Sequence, residues 1–340
     1  MAPNIQFIVQ NMPLGGDGIV AIPHDPSALP NADPANPLRP AFLQTSNQQA
    51  EIDLLRYYED EGYQQTLDAG SGEGGILEDA GVAVPVGAAN LRPFLIKERA
   101  YGVTVSANGS NSRGIAIDPT PRIACEASAL AQGFAKTSPE YVTCAQTPAR
   151  VFIASRSPPS LILGEVGGWS GDGKSYDPDQ LAIIGNVPLS AGPSNVYVAP
   201  IVDRNGNYAV RVFIVCFDSQ TIAIYDPDSQ RVENVVTTGP GPFAMTFDPF
   251  DVAAVATHAH VPFDPRSTHQ NIWHGAVIGP ALRAYRFAYV TSFTDSFVQI
   301  MDLDQSFRDD RLGTGGSTFE NIVYTLGLPT QPVGSSQSSH

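Results

Sequence analysis

Short apolar runs separated by turn residues dominate the chain. The runs are rich in Val, Ile, Phe and Tyr and are bounded by Gly, Pro, Asp and Asn, which is the pattern of β-strands. They are GIVAIP (18–23), RGIAID (113–118), RVFIAS (150–155), SLILGEV (160–166), LAIIGNV (181–187), VRVFIVCF (210–217), TIAIYD (221–226), FAMTFD (243–248), RFAYVTSF (286–293) and FVQIMDLD (297–304). Helical periodicity is limited to residues 50–67 and to a stretch between Cys125 and Cys144. The pattern predicts an all-β fold.

The strand pattern repeats along the chain. Each unit has a first strand ending near an aspartate, a hairpin of two strands, and an outer strand; the aspartates are Asp25, Asp118, Asp203 and Asp248. The last two are 45 residues apart, within the roughly 40–50 residues of a four-stranded propeller blade. A single blade cannot bury both faces, so neighbours must stack. The repeats predict a β-propeller of four-stranded antiparallel blades, of which about four are visible.

The repeats also set the expected boundaries. We expect one propeller domain over residues 1–330 and a polar tail over residues 331–340. The blades are placed at about 12–110, 111–190, 191–239 and 240–328, with insertions at 25–45, 120–149 and 250–285. In the first blade, EIDLL (51–55) is either a strand or part of the helix, and the outer strand is placed at GVAVPVG (81–87). LRPFLIKE (91–98) and YGVTVSANG (101–109) are further strand candidates.

Two late segments resemble a known repeat family. YVTSFTDSFVQIMDLD (289–304) and the preceding GPGPFAMTFDP (239–249) resemble the hairpin and first strand of the YVTN-type β-propeller repeat. The resemblance is good over residues 192–328 and weak over 12–190. It implies a propeller, often seven-bladed, frequently on bacterial or archaeal surfaces or in the periplasm, and no single activity.

The number of visible blades does not determine how the propeller ring closes. NIQFIVQ (4–10) looks like the last strand of a missing blade. The chain is therefore a four-bladed propeller, the C-terminal part of a larger, seven-bladed ring, or a half-ring that another chain closes. Unpaired blade faces would invite such association.

Charge and composition limit the classes of function and the cellular compartments that fit the chain. The chain has 19 basic and 34 acidic side chains, a net charge of −15, which argues against a nucleic-acid binder. No apolar run is long enough for a membrane span, and MAPNIQFIVQNMPLGG has no signal-peptide pattern. Cys125 and Cys144 are either a disulfide or two thiols, and Cys216 is expected to be buried. The composition and the family resemblance favour an extracytoplasmic protein.

Histidines concentrate in one insertion, THAHVPFDPRSTHQNIWH (257–274). His258 and His260 would lie on one face of a strand, and His269 and Asp264 could complete a transition-metal site. The alternative, which we favour, is a solvated loop without a metal.

Acidic turns and two tryptophans are further candidates for binding. Asp172, Asp177 and Asp179 in SGDGKSYDPD could bind calcium, although aspartates also stabilise turns by bonding to the backbone. Trp169 and Trp273 lie in insertions and could stack on a sugar or contact a partner, or pack on the ring. Five aromatic residues along one late hairpin are expected to pack between blades: Tyr285, Phe287, Tyr289, Phe293 and Phe297.

No nucleophile elbow or phosphate-binding loop is present in the sequence. The leading expectation is a non-enzymatic binding or scaffold module that uses its blade insertions to bind a protein or a glycan. The first alternative is a lactonase-like or redox-like propeller enzyme with a metal at His258, His260 and His269. The second is a structural subunit of a surface assembly.

Overall fold

A computed structural model of the 340-residue chain describes residues 15–30, 38–58, 94–103, 110–169, 173, 175–203, 208–248, 285–303 and 318–327. Within these ranges, sixteen strands form four sheets of four strands each. Every sheet is an antiparallel meander of strands that are consecutive in the chain. Each sheet is therefore one blade, and the β-propeller fold expected from the repeats is confirmed.

The four blades follow one another along the chain. Blade 1 contains β1 (Gly16–Ala21), β2 (Ala41–Ser46), β3 (Glu51–Tyr58) and β4 (Phe94–Gly102). Blade 2 contains β5 (Ser112–Asp118), β6 (Ala149–Arg156), β7 (Pro159–Trp169) and β8 (Tyr176–Pro188). Blade 3 contains β9 (Pro193–Val202), β10 (Tyr208–Cys216), β11 (Thr221–Asp226) and β12 (Arg231–Thr237). Blade 4 contains β13 (Pro242–Phe247), β14 (Phe287–Ser292), β15 (Phe297–Asp302) and β16 (Asn321–Gly327).

The blades share an irregularity that makes their positions comparable. In each blade the pairing of the first two strands shifts register close to the start of the first strand. A second shift recurs where the third strand pairs with the fourth. Recurrent β-bulges of this kind are features of a fold rather than defects. Counting from the first shift matches Ile19, Ile115, Val196 and Met245 as equivalent residues of the four blades.

Alternating side chains on each strand enter different cores. Val151 of β6 packs in the core between blades 1 and 2, whereas the next residue, Phe152, packs between blades 2 and 3. In β10, Val212 belongs to the core between blades 2 and 3, and Phe213 to the core between blades 3 and 4. Strands buried on both faces read as continuous apolar runs, which explains runs such as VRVFIVCF. Three apolar cores thus join the four described blades in sequence.

The first blade differs from the sequence predictions. Residues 51–58 form β3, so the predicted helix is wrong there and the strand alternative for EIDLL is right, whereas residues 59–67 lie outside the described residues. Ile52 and Leu54 alternate into the core with blade 2, and this tertiary burial outweighs local helical periodicity. The outer strand is β4, at Phe94–Gly102, whereas residues 81–87 lie outside the described residues. β2 begins at Ala41, so the insertion ends before residue 45.

The strand order assigns the connections between strands to two faces of the blade stack. The connections from the first to the second strand and from the third to the fourth strand of each blade leave one face, because strands in a meander alternate in direction. At this face, which we call the long-connection face, five connections of 18–39 residues and three of 4–6 residues begin and end, and its described residues include 22–30, 38–40, 119–148 and 227–230. The opposite, short-turn face carries the hairpin turns 47–50, 157–158, 217–220 and 293–296, the blade links 189–192 and 238–241, and the described ends of the link between blades 1 and 2, Val103 and residues 110–111.

Candidate functional site

The best-described part of the long-connection face lies above blades 1 and 2. Residues 119–148 there contain two helices, α1 (Thr120–Ala131) and α2 (Pro139–Ala145). Ser138 caps α2 by accepting a hydrogen bond from the Tyr141 backbone N–H at 3.2 Å, and Pro139 at the first helical position suits a helix start. The helix expected between the cysteines is thus present as the end of one helix and most of another.

A small apolar cluster fixes the helices to blade 1. Ala129, Tyr141 and Ala145 of the helices pack with Ala28, which belongs to a single 3₁₀ turn at Pro26–Ala28 after β1. Cys125 of α1 and Cys144 of α2 form a disulfide, which is one of the two alternatives that the sequence left open. The cluster is separate from the three blade cores. The two helices, which we call the helical pair, therefore pack on the propeller through an apolar cluster of their own.

Beside the helices, a buried carboxylate joins blade 2 to blade 1. Asp179 of β8 is 2% exposed; its side chain lies 2.6 Å from His24 Nε2 and pairs with Arg56 of β3. Its backbone carbonyl accepts a hydrogen bond from the Tyr101 hydroxyl of β4 at 2.7 Å. Burial opposes ionisation of Asp179, but the hydrogen bonds and charges of His24 and Arg56 outweigh it and lower its pKa. We call His24, Arg56, Tyr101 and Asp179 the clasp.

The residues proposed as calcium ligands have other partners. Asp177 pairs with Arg99 of β4 and accepts a hydrogen bond from the Asp179 backbone N–H at 3.0 Å. Its side chain is 32% exposed, so this pair is far more solvated than the clasp. Asp172 lies outside the described residues. In the part of the chain that the structure describes, no three His, Cys, Asp or Glu side chains are grouped as metal ligands would be.

Two carboxyl groups face each other where α1 meets the 3₁₀ turn. Burial raises the pKa of Glu126 to about 7, and the neighbouring charge of Asp25 adds to the rise, while Arg122 opposes it from 3.4 Å. Burial also opposes ionisation of Asp25, but its hydrogen bonds, first of all that from the Ser27 backbone N–H, lower its pKa. The two opposite pKa shifts favour a proton on Glu126 and a charge on Asp25. The Tyr141 hydroxyl lies 3.4 Å from Asp25 Oδ2.

An exposed tryptophan stands at the end of blade 2. β7 and β8 extend beyond the runs expected from the sequence, and Trp169 and Tyr176 pair at the end of the hairpin. The Trp169 side chain is 51% exposed, and its ring meets that of Tyr176 edge to face at a centroid distance of 5.8 Å. An aromatic ring held in this way offers a rigid contact surface at low entropic cost.

Several sequence candidates cannot be placed. His258, His260, His269, Asp264 and Trp273 all lie outside the described residues. The metal site and the second tryptophan site therefore stay predictions.

The expected packing of the late aromatic residues is partly wrong. Phe297 is buried, and Tyr285 stacks on Phe247 at a centroid distance of 5.3 Å. Phe293, however, is 71% exposed, because it opens the hairpin turn after β14 and lies at the short-turn face. There it contacts Phe243, which is 48% exposed, and the ring of Phe217.

The sequence did not point to the clasp or to the carboxyl pair. His24 and Asp179 are 155 positions apart, and Arg56 and Asp179 are 123 apart. The aspartates of YDPD were visible as a polar cluster in the sequence, but their basic partners came from strands of another blade. A signal for Asp179 was its position two residues before the apolar run LAIIGNV (181–187), where a carboxylate that becomes buried is costly unless it is paired.

The sheets and their stacking place the chain among β-propeller-type proteins. No family of known proteins matches the chain, and no curated protein matches it. In the described residues, no helix is long and apolar enough to cross a membrane.

Two solved structures have a limited likeness to the chain. One is a functionally unknown protein from Desulfotomaculum acetoxidans, with a TM-score of 0.39 and 9% identity over 86% of this chain and 56% of that chain. The other is the dihydro-heme d1 dehydrogenase NirN in complex with DHE, with a TM-score of 0.37 and 11% identity over 87% of this chain and 36% of that chain. The chain thus spans about half, or less, of the length of these structures. The fold assignment rests on the four sheets themselves.

Proposed function

We propose that the chain is a non-enzymatic β-propeller module that binds a protein or a glycan through its long-connection face. The single observation that supports this is the distribution of the connections: all five that are 18 residues or longer begin and end at this face, and the other face carries only connections of 2–9 residues. Variable connections on a rigid scaffold are where binding residues concentrate.

The region above blades 1 and 2 is the part of this face best suited to hold a ligand. The disulfide and the cluster around Tyr141 fix the helical pair, and the clasp fixes the base of the long hairpin to blade 1. Trp169 is the exposed aromatic side chain at the end of that hairpin. Fixing a contact residue before binding lowers the entropic cost of association. Trp169 is therefore the residue on which we expect binding to depend most.

The proposed location is outside the cytoplasm, in the periplasm, at the outer surface or in the medium. The Cys125–Cys144 disulfide supports it, since disulfides persist mainly in oxidising compartments. We also propose that the blades are YVTN-type repeats, because the segment with that resemblance coincides with the hairpin of β14 and β15.

Binding can be tested without knowledge of the ligand. The purified chain is applied to a printed glycan array and to a phage-displayed peptide library, and captured ligands are titrated against variants. We expect Trp169→Ala to weaken binding at least about tenfold. Phe293→Ala is the matched control, because Phe293 is an equally prominent exposed aromatic residue on the opposite face, and it should leave affinity unchanged. The absence of any ligand in both screens, or a ligand lost only with Phe293→Ala, would contradict the proposal.

The enzyme alternative depends on His258, His260 and His269, which lie outside the described residues, so it stays a prediction. The alternative of a structural subunit is supported by a different feature, the two ends of the blade stack.

A further inference from the structure

The stack of blades has two ends with different faces. Blade 1 and blade 4 each pack against one described neighbour, through the cores between blades 1 and 2 and between blades 3 and 4. Among the described residues, no apolar core joins blade 4 to blade 1. One face of blade 1 and one face of blade 4 therefore lack a described neighbouring blade.

The outward face of blade 1 carries residues of core type. Ile19 of β1 pairs with Gln44, as its equivalents Ile115, Val196 and Met245 pair with the matching residues of their own second strands. Those three equivalents face the preceding blade and are 6–7% exposed. Ile19 is 55% exposed at the same position. The side chain that elsewhere contacts a preceding blade is thus left in solvent.

The outward face of blade 4 shows the complementary feature. Leu326 of β16 pairs with Val298, just as Val236 of β12 pairs with Ile222. Val236 faces the following blade and is 6% exposed, whereas Leu326 is 55% exposed. Tyr324, two residues earlier on the same face, is 50% exposed. This face has the apolar character of the faces that blades 2 and 3 present to their following neighbours.

We infer that these two faces are the two halves of one further blade-to-blade interface, in which blade 4 of one molecule docks on blade 1 of a second copy of this chain. In each interface within the chain, one blade contributes the face that it turns to the following blade, and the next blade contributes the face that it turns to the preceding one. Blade 4 of one molecule and blade 1 of a second copy present these two kinds of face in matching register. The interface continues the three that already join blades within the chain. It is head-to-tail, so two copies related by rotation about the stack axis would close a ring through two identical contacts.

The first test is the mass of the intact chain in solution, measured by light scattering at micromolar concentration. We expect a multiple of the 36.1 kDa chain mass. Ile19→Asp and Leu326→Asp each place a charge in the proposed interface and should weaken self-association at least about tenfold. Ile184→Asp is the matched control, because Ile184 is 57% exposed on β8 of blade 2 and lies outside the proposed contact. It should leave the assembly unchanged.

A mixing experiment separates this arrangement from other associations. A molecule with Ile19→Asp keeps an intact blade 4 face, and one with Leu326→Asp keeps an intact blade 1 face. A mixture of the two should form a dimer through one intact contact, although neither variant does so alone. Far-ultraviolet circular dichroism and thermal melting must show that both variants are folded. A monomeric wild type, an assembly insensitive to both substitutions, an assembly equally disrupted by Ile184→Asp, or a mixture of folded variants that stays monomeric would overturn the inference.

Discussion

The two faces of the blade stack are built in opposite ways. On the short-turn face the same hydrogen bond occurs four times: the last residue of the second strand, or the residue directly after it, donates its backbone N–H to the carbonyl of the residue just before the first strand. The four bonds are Asn47 to Gly15 at 2.8 Å, Arg156 to Asn111 at 2.9 Å, Phe217 to Gly192 at 2.8 Å and Phe293 to Gly241 at 2.8 Å. On the long-connection face, the residue after the first strand donates its backbone N–H to the first residue of the second strand in blade 1 (Ile22 to Ala41, 2.8 Å) and in blade 4 (Asp248 to Phe287, 3.0 Å). In blade 2 the residue at this position is Pro119, which has no N–H to donate.

A recurrent backbone conformation accompanies the repeated bond. Gly15, Gly192 and Gly241 have positive φ angles of 77°, 76° and 61°, a region that glycine adopts without steric cost. Each link thus turns sharply into the next blade. The comparison teaches that the backbone hydrogen bond and the turn conformation recur at the short-turn face, where consecutive blades are joined. At the long-connection face, the length of the connections varies from blade to blade. Variation at that face leaves the stack intact.

The largest effect should come from opening the clasp on the long-connection face. Asp179→Ala leaves Arg56 and His24 without their buried partner, and breaking such a pair costs about 3–5 kcal/mol. The control is Asp177→Ala, which removes the half-exposed pair with Arg99 and should cost less than about 1 kcal/mol. The free energy of unfolding in urea measures both. Equal losses for the two variants would show that the clasp does not join the blades.

The next prediction compares two glycines with positive φ, one on each face. At Gly192, an added Cβ would lie 2.5 Å from an Asp218 carboxylate oxygen and 2.6 Å from the Asp218 backbone nitrogen. At Gly133, after α1, an added Cβ would meet nothing within 4 Å. Gly133→Ala should cost about 1 kcal/mol from backbone strain alone, and Gly192→Ala about 2–4 kcal/mol, because the clash adds to the strain. Similar melting temperatures for the two variants would contradict a packed, repeated short-turn face.

Removal of the disulfide should lower the stability of the helical pair more than that of the propeller blades. Replacement of Cys125 and Cys144 by Ala should destabilise the helical pair by about 2–3 kcal/mol. Limited proteolysis should then cut within residues 119–148 while the blades remain intact, since the helices have their own apolar cluster. Simultaneous loss of strand signal in circular dichroism would mean that the insertion is part of the propeller core.

The smallest expected effect is a pH dependence of the same helical pair. Because the pKa of Glu126 is raised to about 7, the folded state holds its proton more tightly than the unfolded chain does. This contribution to stability is fully present below the ordinary carboxyl pKa and is lost as pH rises through about 7. Asp25, Arg122, Tyr141 and Lys136 are the charged and titratable groups that act on Glu126.

Protection of the helices from protease should therefore decrease between about pH 5 and pH 8. Glu126→Gln keeps a neutral side chain of similar shape at both pH values and should flatten the profile. An unchanged slope in this variant would assign the pH dependence to another group.

The sequence predicted the blades of the fold better than it predicted the residues of the candidate site. Nine of the twelve strands of blades 2 to 4 coincide with the apolar runs, because burial on both faces leaves a continuous hydrophobic signal, whereas β9, β12 and β16 lie outside these runs. In blade 1, EIDLLRYY satisfies both a helical and a strand pattern, and contacts with blade 2 decide between them. The site was hidden because Asp179 and Glu126 take their partners from other blades and connections. Only the exposed Trp169 and the two cysteines were recognisable in isolation.

The central claim is that the long-connection face binds the ligand while the blades and the short-turn face form the scaffold. It is tested most directly by the exchange of one connection for another. Residues 119–148 are replaced by residues 203–207, the connection at the equivalent place in blade 3. The blades should keep their strand content and cooperative unfolding, since the three blade cores contain no residue of the helices. Affinity for a ligand identified by the glycan array or peptide library should be lost. A chain that unfolds after the exchange, or that binds its ligand as before, would contradict the assignment of scaffold to one face and binding to the other.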